Sequence, residues 1–312
     1  TKNIMKIATL AKYRRIMTGS PVTKSPLDLY SQIQFLGGWF LEQTNYYAFR
    51  ARYAIVQQRN VGSHSFQHVM GYQRLDELTA ILREFSTRIL KEDCLDLPDK
   101  VYTKRVVSMT PEQLKAYVEM KKQAMTFFED NPMTAASVLT QMTRLHQIVC
   151  GHVKTDDGQV RTLKNNRIKE LLQVLQETDG KVIIWAVFRE YGKETVASYY
   201  GDTKDSIRQS IVDSFMDSDS DLRFFIGNPK TGGYGLTLTC SHTVVYYSND
   251  YSLEVRMQSE DRAHRIGQKD KVTYVDLMTE GTIDEKIVNS LNNKIDLASQ
   301  VMGEDPKKIL FA

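Results

Sequence analysis

Apolar positions are spaced differently in the two halves of the chain. In the second half, continuous apolar runs recur between stretches of helical periodicity. We predict strands at Lys181–Phe188, Ala197–Tyr200, Leu222–Gly227, Thr243–Tyr247 and Val272–Met278. Strands of this kind that alternate with helices indicate a parallel sheet covered on both faces. An apolar stripe that begins at Ile168 and ends before Gly180 predicts a helix ahead of the sheet.

The first half is mainly helical in pattern, with two predicted strands. Residues 28–95 are mostly helical in pattern, whereas Arg15–Pro21 predicts a short buried strand that runs into a turn. Lys100–Ser108 alternates β-favouring residues and predicts a second strand. Thr110 predicts the start of a helix, because threonine caps well and the proline that follows is tolerated at the first helical position. The polar turn Thr155–Gly158 marks the expected linker between two domains.

Composition limits the class of protein. The 312 residues suffice for two domains, and 41% hydrophobic with 25% charged residues is ordinary for a soluble globular protein. A net charge of +3 does not by itself indicate nucleic-acid binding. The three cysteines are scattered, and Cys150-Gly-His152 offers too few ligands for zinc, so we expect no metal site and a reducing, cytoplasmic setting. No apolar run approaches the ~18 residues that span a bilayer, so we expect no membrane partner.

The segment Thr18-Gly-Ser-Pro-Val-Thr-Lys-Ser25 approaches the phosphate-loop pattern Gly-x-x-x-x-Gly-Lys-Ser/Thr. Threonine occupies both required glycine positions, and Pro21 lacks one backbone N–H that would hold a phosphate. No Gly-Lys-Ser or Gly-Lys-Thr sequence occurs in the chain. The sequence therefore contains no nucleotide-binding P-loop.

A glycine-rich segment follows the predicted strand Leu222–Gly227. It reads Lys230-Thr-Gly-Gly-Tyr-Gly-Leu236, and glycines allow backbone N–H groups to approach an anion closely. Ligands of α/β proteins bind at the carboxyl ends of parallel strands, where this loop is expected to lie. A tight strand-to-helix turn would have the same composition, so both interpretations stay open at this point.

Gln258, Arg262 and Arg265 recur at spacings of four and three residues. On a helix they would share one face, and two arginines with a glutamine form a donor-rich surface suited to a polyphosphate. The alternative is a salt-bridged surface helix, but the abrupt end at Gly267 and the position after the glycine loop favour phosphate binding. His264 is expected on another side of the helix, in a structural hydrogen-bonding role.

These residues resemble helicase motifs, in the order in which the motifs occur. Gln258–Gln268 resembles the sixth motif of the Swi/Snf-type ATPases of helicase superfamily two. The variant with Glu-Asp before the first arginine is most like the motif of the annealing-helicase branch and its bacterial and phage relatives. Gly232–Leu238 is similar to the fifth motif, Lys181–Phe188 to the fourth and Thr18–Pro21 to the third. Gly281–Glu285 resembles the family's closing helix.

The resemblance implies an α/β fold built from RecA-like lobes. Residues 154–312 would form the second lobe, with a parallel sheet and the closing helix. Residues 1–153 would form the remainder of the first lobe, together with a helical insertion that protrudes from it. The family's first and second motifs, the Walker A phosphate loop and the Asp-Glu box of Walker B, have no counterpart in this sequence. We expect them to precede Thr1 in a longer protein.

The resemblance also implies roles for individual residues. The arginine fingers that would meet the γ-phosphate of ATP are Arg262 and Arg265, ordered by Gln258. The loop that would couple the ATP state to DNA contains Gly232, Gly233 and Gly235. The residues that would contact DNA are Lys230, Thr231, Thr18, Gly19 and Ser20. One departure affects these DNA contacts, since Asn228-Pro-Lys230 stands where the family usually has Ser-Thr-Arg.

The implied function is that of an ATP-dependent DNA helicase or translocase, to which this chain contributes the carboxyl-terminal half of the motor. The cofactors would be ATP and Mg²⁺, held mainly by the amino-terminal lobe, so the chain by itself is expected to be inactive. A monomer in the cytoplasm, or in the nucleus of a eukaryote, would grip DNA through its phosphate backbone. The alternative is a non-catalytic module, derived from a helicase lobe, that binds DNA or a protein partner.

Overall fold

A computed structural model describes residues 2–43, 45–61, 64–130, 135–154, 159–188, 196–232 and 235–302. The chain folds as two compact units. Of the described residues, the first unit contains those within 2–90, 252–254 and 291–302, and the second contains those within 91–251 and 255–290. The first unit has one cluster of buried apolar side chains, and the second has two.

In its described residues, the first unit combines short helices with an antiparallel ribbon of two strands. The helices are α1 (Lys2–Ala8), α2 (Asp28–Leu36), α3 (Tyr46–Tyr53) and α4 (Leu75–Phe85), and the strands are β1 (Ala54–Val61) and β2 (His64–Tyr72). The core of this unit contains Leu29, Phe49, Tyr53 and Leu78, each at most 1% exposed. The ribbon therefore begins directly after α3, a helix that places Phe49 and Tyr53 in this core.

The remaining strands and helices follow in chain order. They are α5 (Lys91–Cys94), β3 (Lys100–Val106), α6 (Pro111–Asp130), α7 (Ala135–Cys150), β4 (His152–Lys154), β5 (Val160–Thr162), α8 (Arg167–Glu177), β6 (Lys181–Trp185), β7 (Val196–Tyr199), α9 (Asp205–Met216), β8 (Phe224–Gly227), α10 (Pro229–Gly232), β9 (Ser241–Tyr246), α11 (Leu253–Glu260), β10 (Val272–Met278) and α12 (Ile283–Met302). None of the helices in the described part of the chain is both long and apolar enough to cross a membrane.

A six-stranded sheet forms the centre of the second unit. Its strand order is β3-β10-β9-β6-β8-β7, and every neighbouring pair is parallel. The five strands predicted for the second half of the chain are all present in it, with small shifts of their ends. The predicted α/β class with a parallel sheet is therefore confirmed.

Burial on both faces explains why these strands are continuous apolar runs. On β6, Val182 and Ile184 belong to one core cluster, whereas Ile183 and Trp185 belong to the other. All four side chains are at most 2% exposed. Helix α8 supplies apolar side chains to the first cluster and α9 to the second. Successive side chains of a strand point to opposite faces, so a strand covered on both sides needs apolar residues at every position.

The start of α6 follows the predicted capping pattern. The side chain of Thr110 accepts a hydrogen bond from the backbone N–H of Gln113 over 3.3 Å. In return, the side-chain oxygen of Gln113 accepts one from the backbone N–H of Thr110 over 3.1 Å. This reciprocal capping box satisfies two donors that the first turn of a helix would otherwise leave unpaired. The predicted helix start is confirmed.

Two predictions for the first half are wrong. Arg15–Pro21 forms no strand, and its apolar residues Ile16 and Met17 are 37% and 97% exposed. Apolar residues alone do not make a strand when no neighbouring strand offers hydrogen bonds. The helical pattern of residues 28–95 is interrupted by β1 and β2. Both strands escaped prediction because a ribbon that is exposed on both faces lacks the alternation of a half-buried strand.

The division between the compact units differs from the boundary expected at residues 153 and 154. Strand β3 pairs with β10 along its whole length, from Lys100 opposite Val272 to Val106 opposite Met278. Residues 91–153 therefore share a unit with the later strands, and the units divide after Leu90. The predicted linker at 155–158 lies outside the described residues.

Candidate functional site

The segment Gln258–Gln268 begins in α11 and continues as tight turns. Helix α11 ends at Glu260, and the backbone N–H groups of Arg262 and Ala263 donate to carbonyls three residues earlier, over 3.4 and 3.2 Å. The prediction that one helical face carries both arginines is therefore wrong, because the helix ends before the first of them. Gly267, with a φ of +101°, closes the turns in a conformation that favours glycine.

Both arginines nevertheless converge on one carbonyl of the glycine loop. Nη1 of Arg262 donates to the backbone oxygen of Leu236 over 3.0 Å, and Nη1 of Arg265 donates to the same oxygen over 3.3 Å. Nε of Arg262 donates to the backbone oxygen of Gln258 over 2.8 Å, so Gln258 orients this arginine through its main chain. The N–H of Leu238 donates to the carbonyl of Arg262 over 2.9 Å. Side-chain and backbone bonds thus join the arginine turn to the loop that follows β8.

The two arginines are held by neutral groups. Among the residues that the structure describes, neither Arg262 nor Arg265 forms an ion pair, and the adjacent Asp261 pairs with Lys91. Hydrogen bonds to carbonyl oxygens orient a guanidinium group without cancelling its charge. Burial lowers the pKa of Arg262, but an arginine keeps its proton at neutral pH. An anion that approached this turn would meet two oriented cations.

Arg256 was not singled out from the sequence. Unlike Arg262 and Arg265, it is held by carboxylates. Its guanidinium bonds to both carboxylate oxygens of Asp276, over 2.6 and 3.1 Å, and to Glu260 over 2.7 Å. It also lies 3.5 Å from the ring centroid of Tyr246. Burial opposes the charged form, yet the carboxylates outweigh it and raise the pKa of Arg256 well above its usual value. The i,i+4 spacing of Arg256 and Glu260 was the signal available in the sequence.

Glu260 ties the end of α11 to strand β3. Its carboxylate accepts a hydrogen bond from the hydroxyl of Tyr102 over 2.6 Å, and the ammonium of Lys100 lies 3.4 Å away. Glu260 is 6% exposed and Lys100 is 7% exposed. Burial and the neighbouring carboxylate raise the pKa of Tyr102, so this phenol remains a donor. A buried ionic network therefore fixes the point at which the helix gives way to the arginine turn.

The loop after β8 opens with the short helix α10. Gly232 packs against Trp185, and a Cβ at this position would stand 2.5 Å from the indole ring. Gly235 has a φ of +75°, a conformation that favours glycine. Gly233 lies outside the described residues. Packing therefore requires a glycine at 232, and the backbone conformation favours a glycine at 235, as expected for a tight turn after a strand.

Lys230 and Thr231 lie in α10, at the carboxyl end of β8. Lys230 is exposed, and its ammonium pairs with Asp250 over 2.9 Å. The N–H of Thr231 donates to the carbonyl of Asn228 over 3.0 Å. The side chain of Asn228 also accepts from the N–H of Lys230 over 2.9 Å. Unlike the two arginines, Lys230 already has an anionic partner.

Thr18, Gly19 and Ser20 belong to the first unit, in a segment without regular structure. The hydroxyl of Thr18 accepts from the N–H of Ser20 over 3.1 Å, and a Cβ on Gly19 would meet no atom within 4 Å. The three N–H groups of residues 23–25 donate to the carboxylate of Asp28, over 3.2, 2.8 and 3.2 Å. The carboxylate of Asp28 thus occupies the N–H donors that a phosphate loop would offer to its ligand. This agrees with the prediction that the segment is not a P-loop.

His264 is buried rather than placed for catalysis. Its side chain is 2% exposed, and its Nε2 lies 2.8 Å from the carbonyl oxygen of Pro98. A carbonyl only accepts hydrogen bonds, so Nε2 carries the ring proton in this contact. Burial lowers the pKa of His264, which keeps the ring neutral at pH 7. This agrees with the expected structural role.

A second buried ion pair joins α8 to the first turn of α12. Arg167, 1% exposed, pairs with Asp284 and also donates to the carbonyl of Tyr247 over 2.6 Å and to Thr279 over 3.1 Å. His146 lies 3.5 Å from the same carboxylate. Burial lowers the pKa of His146 to about 4, against the opposing effect of Asp284. This cluster attaches the predicted closing helix to the sheet.

Two family models match the chain in sequence order. A model of the SNF2-related domain matches residues 2–154, and a model of the helicase conserved C-terminal domain matches residues 160–267. Each match covers less than half of the chain. The second match includes the glycine loop together with Arg262 and Arg265. The two matches meet near the expected linker, whereas the compact units divide after Leu90.

Relatives of the chain include a subunit of a SWI/SNF chromatin-remodeling complex and several ATP-dependent helicases. It is 27% identical over 322 residues to the SWI/SNF chromatin-remodeling complex subunit snf22 of Schizosaccharomyces pombe, covering 94% of this chain and 19% of the relative. It is 26% identical over 311 residues to the putative ATP-dependent helicase/translocase YwqA of Bacillus subtilis, covering 92% of this chain and 32% of that relative. The chain thus spans less than two thirds of the length of the curated relatives that it matches.

Solved structures share the fold. The SWI2/SNF2 ATPase core domain of Sulfolobus solfataricus is 25% identical, with a TM-score of 0.51, and the match covers 90% of this chain and 58% of that one. The same core in complex with dsDNA is 23% identical, with a TM-score of 0.51, over 91% of this chain and 62% of that one. The parallel sheet is therefore that of a RecA-like lobe, as the resemblance implied.

Proposed function

We propose that this chain is the arginine-bearing part of an ATP-driven DNA translocase or helicase. The observation that carries the proposal is the convergence of Arg262 and Arg265 on the Leu236 carbonyl, in a domain whose relatives include ATP-dependent helicases. In this role both arginines neutralise charge on the γ-phosphoryl group of ATP as it is transferred. Phosphoryl transfer is catalysed mainly by such positioning and electrostatics.

The two arginines are suited to different positions around that phosphoryl group. Backbone carbonyls at 2.8 and 3.0 Å hold the half-buried Arg262, which suits a fixed inner position. Arg265 is exposed and has a weaker contact of 3.3 Å, which suits an outer position that tightens when the anion binds. An arginine finger contributes about 10³–10⁵ in rate, or roughly 4–7 kcal/mol of barrier. Gln258 contributes to this arrangement through its carbonyl, which accepts a hydrogen bond from Nε of Arg262.

The glycine loop is the proposed link between ATP and DNA. Because Leu236 and Leu238 both bond to the arginine turn, a displacement of the loop by DNA would move the arginines. The residues proposed for this coupling are Gly232, Gly233 and Gly235. The residues proposed to contact the DNA backbone are Lys230, Thr231, Thr18, Gly19 and Ser20. The related core that was solved with dsDNA supports DNA as the substrate.

ATP and Mg²⁺ would be held mainly by a lobe with a P-loop and an Asp-Glu box at the end of a strand. This sequence has no P-loop, and both of its Asp-Glu pairs, Asp76-Glu77 and Asp284-Glu285, lie in the first turn of a helix. We therefore propose that the chain by itself does not hydrolyse ATP. Membership of the annealing-helicase branch, a monomeric state and a cytoplasmic or nuclear location are further parts of this proposal, and they rest on the resemblance. The missing P-loop also favours the second candidate, a module that binds DNA or a protein partner without catalysis.

Substitution of the arginines tests the proposal. In a polypeptide that also carries the P-loop lobe, Arg262→Ala and Arg265→Ala are each expected to lower kcat for DNA-stimulated ATP hydrolysis by about 10³-fold or more. Arg265→Lys is expected to recover part of the loss, because lysine keeps the charge but not the fork of donors. Arg161→Ala, which removes an arginine 73% exposed on another surface, is the matched control.

Two results would decide against the finger assignment. Hydrolysis by Arg265→Ala within about threefold of the unsubstituted protein would contradict it, since a finger contributes far more than that. Robust ATP turnover by this chain on its own would show that it holds ATP without a P-loop lobe. DNA binding that survives with no effect of either arginine on hydrolysis would favour the non-catalytic module.

A further inference from the structure

The β1–β2 ribbon is a feature that the proposed ATPase chemistry does not use. Its strands pair from Ala54 opposite Tyr72 to Val61 opposite His64. Residues 55–60 and 65–68 are all exposed, so most of the ribbon is open to solvent on both faces. An isolated two-stranded ribbon is at best marginally stable and adds little to the fold. Its side chains are therefore available for a contact with another molecule.

One face of the ribbon combines cationic, aromatic and amide side chains. Arg59 stands directly opposite Phe66, and Gln57 stands opposite His68. Directly opposed residues of an antiparallel pair project on the same face. Nη2 of Arg59 also lies 3.5 Å from the sulfur of Met70, which follows Phe66 and His68 on that face. We call this surface the Arg59 face; its five residues are Gln57, Arg59, Phe66, His68 and Met70.

The Arg59 face presents its apolar and cationic groups to solvent together. Phe66 is 45% exposed and Met70 is 53% exposed, and the other three residues are exposed as well. Residues 54–72 contain neither aspartate nor glutamate. The carboxylate of Glu77, at the base of the ribbon, accepts a hydrogen bond from Nε of Arg52 over 2.6 Å. The charge of this face is therefore complementary to an anion.

The ribbon is anchored firmly to its unit. Tyr53, immediately before β1, is 0% exposed and its hydroxyl donates to Glu77 over 2.7 Å. Just after β2, the N–H of Gln73 donates to the carbonyl of Tyr53, and its side chain donates to the carbonyl of Arg52, each over 3.0 Å. An anchored strand pair can present a flat binding face at lower entropic cost than a flexible loop.

We propose that the Arg59 face binds single-stranded DNA, an inference that rests on the proposed function and names a surface for its substrate. The exposed ring of Phe66 offers a stacking platform for an unpaired base. Arg59, directly opposite, can meet a backbone phosphate, and the amide of Gln57 can bond to a base edge. Aromatic stacking beside a cationic groove is how proteins bind single strands without sequence preference. The bases of a duplex stack on one another, so they cannot use this platform.

The test measures binding of the unsubstituted chain and its variants to labelled DNA by fluorescence anisotropy. The two probes are an oligothymidine of about 20 nucleotides, longer than a site of about 4–16 nucleotides, and a duplex of the same length. Each titration is repeated between about 50 and 200 mM salt. The variants are Phe66→Ala and Arg59→Ala. The matched control is Gln58→Ala with Asn60→Ala, two exposed positions on the opposite face of β1.

Each variant has its own expected result. Phe66→Ala should weaken single-strand binding about tenfold, the effect of losing one stacked base, and leave duplex binding unchanged. Arg59→Ala should reduce the slope of log affinity against log salt by about 0.7 for single strands, the effect of losing one phosphate contact. The control should change affinity by less than about twofold, as is usual for surface substitutions.

The outcomes separate this inference from the function on which it rests. If the chain binds no DNA of either kind, both are overturned. If it binds single strands and neither variant differs from the control, only the inference is overturned. The inference is also overturned if a variant loses affinity for single strands and for the duplex equally. It is likewise overturned if a variant binds single strands normally and is defective solely in binding another protein. Photocrosslinking of the unsubstituted chain to iododeoxyuridine DNA needs no variant: a crosslink at Phe66 supports the inference, and crosslinks solely at other positions overturn it.

Discussion

Replacing Arg256 by alanine tests whether the buried ionic network holds α11 at the edge of the arginine turn. The change removes the cation that contacts both oxygens of Asp276, over 2.6 and 3.1 Å, and one contact of Glu260, over 2.7 Å. Asp276 would keep Asn249 at 2.7 Å, and Glu260 would keep Tyr102 at 2.6 Å. One buried carboxylate is thus left without a cation, while the rest of the network stays in place.

We expect the free energy of unfolding to fall by about 3–5 kcal/mol, the cost of removing one partner of a buried ion pair. Solvent screens this pair little, because the side chains of Arg256 and Asp276 are 10% and 14% exposed. An exposed pair gives the reference. Arg161 and Glu112 lie 3.6 Å apart with side chains 73% and 45% exposed, and pairs of that kind contribute less than about 1 kcal/mol.

The assay is urea unfolding followed by tryptophan fluorescence. The chain has 2 tryptophans, and replacing Trp39 by phenylalanine leaves Trp185 as the reporter. Trp185 is 0% exposed and lies in β6, in the same unit as Arg256. Arg256→Ala should lower the midpoint with an unchanged slope, which indicates lost stability and not a change in unfolded surface. Arg161→Ala, in the same background, is the control.

A loss for Arg256→Ala no larger than that for Arg161→Ala would refute the reasoning. A further variant separates lost pairing from lost packing. Arg256→Met combined with Asp276→Leu removes both charges while keeping apolar volume, and it should recover part of the stability, because a buried pair replaced by apolar residues is often neutral. If this double variant is as unstable as Arg256→Ala, the loss arises from packing and not from an unpaired carboxylate.

Two further predictions use the same fluorescence assay. Gly232→Ala should cost about 1–3 kcal/mol, because the new Cβ would stand 2.5 Å from Trp185. Gly201→Ala, in the same unit and with its nearest neighbouring atom at 3.7 Å, should cost little, and equal costs would contradict the packing argument. Folding lowers the pKa of His146 from 6.5 to about 4, so stability is fully present above pH 6.5 and falls as the pH drops toward 4, by on the order of 3 kcal/mol. His146→Leu should flatten this dependence, and an unchanged profile would contradict it.

Local patterns were sufficient to predict the class of fold. The strands of the parallel sheet are apolar at successive positions, and this pattern is visible in β6 from Val182 to Trp185 without any knowledge of their neighbours. The capping box of Thr110 and Gln113 is likewise local, because both partners lie within one turn. Such features are encoded by residues close in sequence, so the chain alone specifies them.

The sequence pointed to candidate members of the site but not to its geometry. The glycine loop and the segment that carries Arg262 and Arg265 were both singled out from the sequence. Their meeting point, the carbonyl of Leu236, is a backbone atom that no residue pattern reveals. The end of α11 was also misjudged, because Glu260 is held by Tyr102 of β3, a strand far away in sequence. A helix boundary set by a tertiary contact cannot be obtained from periodicity.

The sequence by itself therefore determined the α/β class, the strands of the sheet, the absence of a P-loop pattern and the identity of the arginine pair. The tertiary structure decided that β3 closes the edge of the sheet beside β10, that Arg256 is neutralised by Asp276, and that the arginine pair bonds only to neutral groups within the described residues. The physical reason is the same in each case. Strand partners and charge partners are chosen by packing between distant segments, and the local sequence carries no record of that choice.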